Sequence, residues 1–218
     1  MPRPPADGSS YPMFAETADI VTFDDAEDPD LWVRPNRHPV SIEIVDHDAA
    51  WARHYAETAR MIRKALARTG SFVGIEHVGS TAVPGLASKS IIDIALVVAD
   101  PGVEAVYAPA LGSLGFELVI RESAWYEHRM FKRLAPTSGQ LLCNLHAFGP
   151  RCAEVARMRL FRDWLCDHAD DRELYQSVKL SSAQESNAAR ESVMEYNARK
   201  QAVVREIHRR IFRAHGWV

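Results

Sequence analysis

The chain has little cysteine, no long apolar run and almost no charge imbalance. Three cysteines in 218 residues, Cys143, Cys152 and Cys166, are too few and too widely spaced for a disulfide framework or a zinc knuckle. A reducing, cytoplasmic setting is the expectation that follows. No stretch approaches the roughly 18–20 apolar residues of a membrane span. Pro2, Pro4 and Pro5 interrupt the N-terminus where a signal peptide needs its apolar helix, so neither membrane nor secretion is expected. A formal net charge of −3, from 26 Lys and Arg against 29 Asp and Glu, gives no overall attraction for a polyanion. The stretch from Arg151 onward carries 13 basic against 10 acidic residues, too balanced for a nucleic-acid backbone footprint. Nucleic acid is therefore not an expected partner.

What is present is 47% hydrophobic residues, enough for a sizeable core. Residues 1–40 hold eight acids against three bases and are rich in Pro, which reads as an extended or partly disordered arm. Tyr11 and Trp32 give it a means of docking on the body. Ser41–Val45 alternates like a short strand. Trp51, Tyr55, Ile62 and Leu66 recur at helical spacing, and Gly70 ends that helix. Strands are expected at Phe72–Val78, Ser90–Val98, Phe116–Arg121, Glu127–Arg133 and Gln140–Phe148, with a helix from Asp100-Pro101 to Gly115. After Gly149-Pro150 the pattern becomes helical, over Arg151–His168, Asp171–Ser182 and Arg190–Ala214. The plan is α+β, with an arm at 1–40, a mixed-sheet core at 41–150 and a C-terminal helical layer at 151–218.

The most informative stretch is residues 77–94, HVGSTAVPGLASKSIIDI. A strand ending in Gly79-Ser80-Thr81 offers backbone N–H groups and hydroxyls to phosphate oxygens. Asp93 opens an otherwise apolar strand, where a carboxylate needs a cationic partner or a metal. His77, His128 and His146 fall near one end of the expected sheet. Together with Asp93 they could form a transition-metal site, or they are simply half-buried, hydrogen-bonded histidines. If Lys89, Arg129, Lys179 and Lys200 converge on the Gly-Ser turn, an anionic substrate is implied.

Residues 77–98 resemble the signature of the GrpB family. The resemblance continues in Asn144-Leu-His146, in Leu160–Leu165, in Tyr175–Lys179 and in Tyr196–Lys200, so it spans about residues 41–212. It implies a nucleotidyltransferase-like fold. In that superfold a Gly-Ser turn holds a nucleoside triphosphate, and an Asp-x-Asp/Glu pair holds two Mg²⁺ ions for in-line transfer. Carried onto this chain, Gly79, Ser80 and Thr81 would contact phosphate, Asp93 would ligate Mg²⁺, and Asp93 and His146 would be catalytic. ATP or another nucleoside triphosphate, or a small phosphorylated molecule, is the implied substrate. The second carboxylate position is Ala95, which removes a bridging ligand from the metal pair. A transferase and a catalytically reduced module that binds nucleotides, anions or a partner both stay open.

Overall fold

The run Ile91–Val98 alternates no polar residue after Asp93, so it can be buried only in the middle of a sheet with both faces covered. A computed structural model describes residues 15–24, 31–33, 41–133 and 140–218 and places it there. The elements are α1 (Thr17–Val21), α2 (Ala50–Leu66), β1 (Phe72–Val78), β2 (Ile91–Val98), α3 (Glu104–Gly112), β3 (Glu117–Glu122), β4 (His128–Arg133), β5 (Leu142–Phe148), α4 (Ala153–Asp167), α5 (Ala169–Ala189) and α6 (Val193–Ala214). The sheet runs in the order β1-β2-β5-β4-β3. Only β2 and β5 are parallel; the other neighbours are antiparallel. The architecture is α+β, a five-stranded mixed sheet flanked by helices with a C-terminal helical layer.

Alternation along the strands divides the residues between two faces. Ile75, Ile92, Ile94, Leu96, Val98, Phe131, Leu145 and Ala147 form one core with Trp51, Ile62 and Leu66 of α2 and Tyr107 and Leu111 of α3. The opposite face carries Val78, Asp93, Ala95 and Val97, with Asn144, His146 and Phe148 beside them. Val155 of α4 packs on its Ala95–Phe148 end. Lys179 of α5 and Lys200 of α6 reach toward its Asp93 end. Helix α6 begins with a capping box between Ser192 and Glu195, which satisfies orphan N–H groups at its start.

Three expectations change. Ser41–Val45 is not a strand: only Val45 forms an isolated bridge, to Ser88. Its neighbour Ile42 pairs its N–H and C=O with the Asn187 side-chain amide, at 2.8 and 2.9 Å, so a side chain supplies the partners a sheet would have supplied. Helix α5 runs to Ala189 rather than Ser182, because its polar residues Gln176, Lys179 and Asn187 bond to loops instead of ending the helix. Part of the arm is helical rather than extended. Most of the arm, with Tyr11, lies outside the described residues. Its described part includes α1, and Trp32 bridges to Ile120.

Arg157, 1% exposed, anchors that part of the arm. Its guanidinium donates to the carbonyls of Asp19, Ile20 and Thr22 at 2.9–3.1 Å, to the Tyr126 hydroxyl at 2.9 Å and to Glu154 at 2.8 Å. Arg157→Met should cost about 2–4 kcal/mol by stranding these acceptors. Amide hydrogen exchange should accelerate selectively in residues 17–22. Unchanged exchange there would show that apolar packing alone holds the arm.

Candidate anion-binding site

The turn after β1 is built around Asp93. Gly79 has φ +70°, and a Cβ on it would sit 2.5 Å from the Asp93 Oδ2 and 2.9 Å from its Cβ. Glycine is required there both for the backbone conformation and for the approach of the carboxylate. Ser80–Ala82 follows as a single 3₁₀ turn. Ser80 is hydrogen-bonded to the Tyr175 hydroxyl, and burial pushes that phenol up to about 12. Thr81 is buried, and its hydroxyl bonds to His77 Nε2 at 3.0 Å. Thr81 thus supports the turn from behind, whereas phosphate contact would need it exposed.

Asp93 Oδ1 accepts a 2.8 Å hydrogen bond from Asn144, its register partner on β5. Burial raises the carboxyl's proton affinity, while the Asn144 amide, Lys89, Lys200 and Lys179 pull it back down. These lysines come from three places: the loop before β2, α6 and α5. Each has lowered proton affinity, with burial the largest cause, and each is electrostatically coupled to Asp93. Lys179 falls to about 7, with Lys200 and Lys89 adding repulsion. Lys200 falls to about 8, with Lys89 adding repulsion. Lys132, in register with Asn144 on β4, is the fourth cation coupled to Asp93. One carboxylate therefore faces an excess of positive charge.

The ammonium groups are held in place. Lys179 Nζ donates to the Ala87 carbonyl at 2.6 Å, and Gln176 accepts from the Ala87 N–H at 2.8 Å, so α5 grips the loop after the turn by both backbone groups. Lys179 also lies 5.5 Å from the Tyr175 ring centre. Lys200 and Lys89 lie 4.0 and 5.3 Å from the Tyr196 ring. Such cation–π contacts fix an ammonium without neutralising it. The Tyr196 hydroxyl is buried with no hydrogen-bond partner among the described residues.

Arg129 does not join this group. It is in register with Ala147, on the opposite face, where Glu104 takes its Nε at 2.6 Å and the Glu127 carbonyl accepts at 2.8 Å. Strand alternation puts Lys132, not Arg129, on the face that carries Asp93. Nor do the histidines gather. His77 stacks on Tyr55 of α2, with ring centres 4.5 Å apart, while His128 and His146 sit on the other side of the sheet. His146 Nδ1 bonds to His128 Nε2 at 3.0 Å, and His128 Nδ1 bonds to Glu122 at 2.6 Å. Burial, with His128 and Lys132 nearby, lowers His146 to about 3, so its ring is neutral. Among the described residues no group of three His, Cys, Asp or Glu side chains is placed to hold a metal ion.

The two Mg²⁺ ions implied by the fold resemblance do not fit the donor set. Ala95 is 0% exposed and packs with Val78, Val97, Phe148 and Val155. Its register partners are Glu76 and His146. Glu76 is committed to Arg162 at 3.0 Å, and His146 to His128. Asp93 is left as the single carboxylate, surrounded by ammonium groups.

Sequence reasoning passed over Asn144, Tyr175 and Tyr196 as site residues. A signal was available. Tyr175-x-x-x-Lys179 and Tyr196-x-x-x-Lys200 repeat one i, i+4 pair on two helices, which puts each lysine on the same helical face as its tyrosine. Gly79→Ala tests the packing of the turn. It should destabilise the protein by about 1–3 kcal/mol, from the positive φ and the clash with Asp93. A thermal-melt shift no larger than that of a surface substitution would show that the turn can yield.

No helix among the described residues is long and apolar enough to cross a membrane. A family model described as GrpB protein matches residues 41–210. A UPF0157 protein of Halalkalibacterium halodurans is 40% identical over 173 residues, covering 79% of this chain and 84% of that protein. The crystal structure of conserved protein GrpB from Enterococcus faecalis aligns with a TM-score of 0.63 at 21% identity, covering 79% of this chain and 99% of that one. That likeness shows a shared fold. Cid1 in complex with its short product ApU aligns at a TM-score of only 0.46 and 15% identity, over 62% of this chain and 42% of that one, too slight a likeness to bear on function. With the family match covering most of the sequence, the chain belongs to the GrpB family.

Proposed function

We propose that this protein is a nucleotide- or phosphate-dependent transferase of nucleotidyltransferase-like fold, with its phosphate site between the Gly79-Ser80 turn and Lys89, Lys179 and Lys200. The observation that carries the reading is the convergence of three lysines, from three separate elements, on one carboxylate. Burying ammonium groups beside one another is costly, and such uncompensated charge is typical of a site completed by a ligand. The ligand is ATP or another nucleoside triphosphate, or a small phosphorylated molecule. The lysines would hold its phosphoryl oxygens and stabilise the charge that develops on them.

Asp93 is the proton acceptor in this scheme. A hydroxyl attacks phosphorus in line, the new P–O bond forms as the bond to the leaving group breaks, and the proton passes to the Asp93 carboxylate. His146 is less suited to that task, because one ring nitrogen is engaged by His128 and burial makes it a weak base. The sealed position of Ala95 favours a second reading, a module that binds the same anions without turnover. Incubation with labelled ATP and separation of products distinguishes the two.

Binding itself is tested by thermal melting of the full chain with a panel of nucleoside triphosphates and inorganic tripolyphosphate. A ligand at a hundred times its Kd should add about 2.7 kcal/mol of stability. Lys89→Met and Lys200→Met should each remove most of that shift. A flat response across the whole panel removes the phosphate reading.

Affinity should also fall as pH rises through the range in which Lys179 and Lys200 lose their protons, about 7 and about 8. Both are charged below that range and neutral above it, and neutral amines do not attract phosphate. ATP gains negative charge over the same interval, so a falling affinity reports the protein. Affinity that rises or stays level would show that these two lysines do not carry the binding.

A further inference from the structure

Building on the phosphate-binding reading, we propose that this site binds polyphosphate in its metal-free form, with Lys89, Lys179 and Lys200 supplying the positive charge that a two-metal centre draws from Mg²⁺. Mg²⁺ demands near-octahedral oxygen coordination and in phosphate sites is usually anchored by one or two carboxylates. Asp93 is a poor anchor. Its Oδ1 already accepts from Asn144 and its Oδ2 lies so close to Gly79 that a Cβ there would be 2.5 Å away, which leaves a lone pair for a proton but little room for a hydrated cation.

A second carboxylate cannot be recruited nearby. The neighbouring outward position on β2 is Ala95, closed over by Val155 of α4. The carboxylate beside it in register, Glu76, is spent on Arg162, with Arg159 at 3.6 Å. Meanwhile the cations are already in place. Two ammonium groups are braced on the Tyr196 ring and the third is fixed to the Ala87 carbonyl. A divalent cation brought to Asp93 would be repelled by all three. A cation carried in on the phosphate would neutralise the charge that the lysines attract.

Calorimetric titration of the full chain with inorganic tripolyphosphate, once in EDTA and once in excess Mg²⁺, tests this. Binding in EDTA that Mg²⁺ weakens or leaves equal is the expected result. Binding that appears only with Mg²⁺ overturns the proposal while leaving the phosphate reading intact. Absence of binding in both conditions overturns both. Asp93→Asn adds an independent arm. If Asp93 only competes with the phosphate for the lysines, the near-isosteric neutral variant binds at least as tightly, by up to about tenfold, in EDTA. If Asp93 instead anchors a cation required for binding, the same variant weakens binding, and the proposal fails.

Discussion

The imbalance between one carboxylate and three ammonium groups is the constraint around which this protein is organised. Asp93 sits near the start of the interior strand β2, and the lysines reach it from the loop before that strand and from two helices of the C-terminal layer. The sheet and the helical layer must therefore be in their native relation before the charges meet. Electrostatically the arrangement is unfavourable to the empty protein, since burial and mutual repulsion depress the proton affinity of every lysine. Stability must come from elsewhere, and the apolar cores on the two faces of the sheet and within the helical layer are where it is found. Under the phosphate-binding proposal, a bound anion would relieve that repulsion.

Side chains on α5 fasten the helical layer to the loops that shape the site. Gln176 and Lys179 satisfy both backbone groups of Ala87, and Asn187 does the same for Ile42. Lys179 is thus at once a structural donor to the loop and one of the cations coupled to Asp93, which links positioning of the loop to the charge around that carboxylate. Tyr175 adds a third connection, through Ser80. Each bond replaces a partner that water would provide in an exposed loop, so the turn stays ordered although it is not part of the sheet.

Much of the fold was legible because apolar period and turn chemistry agree along the chain. The five core strands and the long helices follow from alternation, from the apolar run of β2 and from Gly at the ends of helices. The failures have a common cause. Ser41–Val45 alternates like a strand, yet a distant side chain, Asn187, takes its backbone groups, and no local pattern announces that. At the site, residue types were legible and faces were not. Arg129 and Lys132 are both cations on β4, and only the register with β5 determines which one meets Asp93. The Tyr-x-x-x-Lys pairs show how the gap can be narrowed, because helical geometry fixes the shared face of an i, i+4 pair without tertiary information.

Ala95 takes on a different meaning once the sheet is seen from the side of α4. From the sequence it is a missing ligand, a metal site with one carboxylate deleted. In the folded chain it is a core residue, enclosed by Val78, Val97, Phe148 and Val155. A carboxylate there would be buried against apolar side chains, with Glu76 as its like-charged neighbour in register. Alanine is therefore matched to its surroundings rather than a scar in them. The same region shows where positive charge was placed instead: on long side chains that approach Asp93 from the helical layer. The apolar setting of Ala95 and the lysines around Asp93 are two parts of one electrostatic arrangement. Its sum is one carboxylate among several ammonium groups, with no second carboxylate beside it on β2.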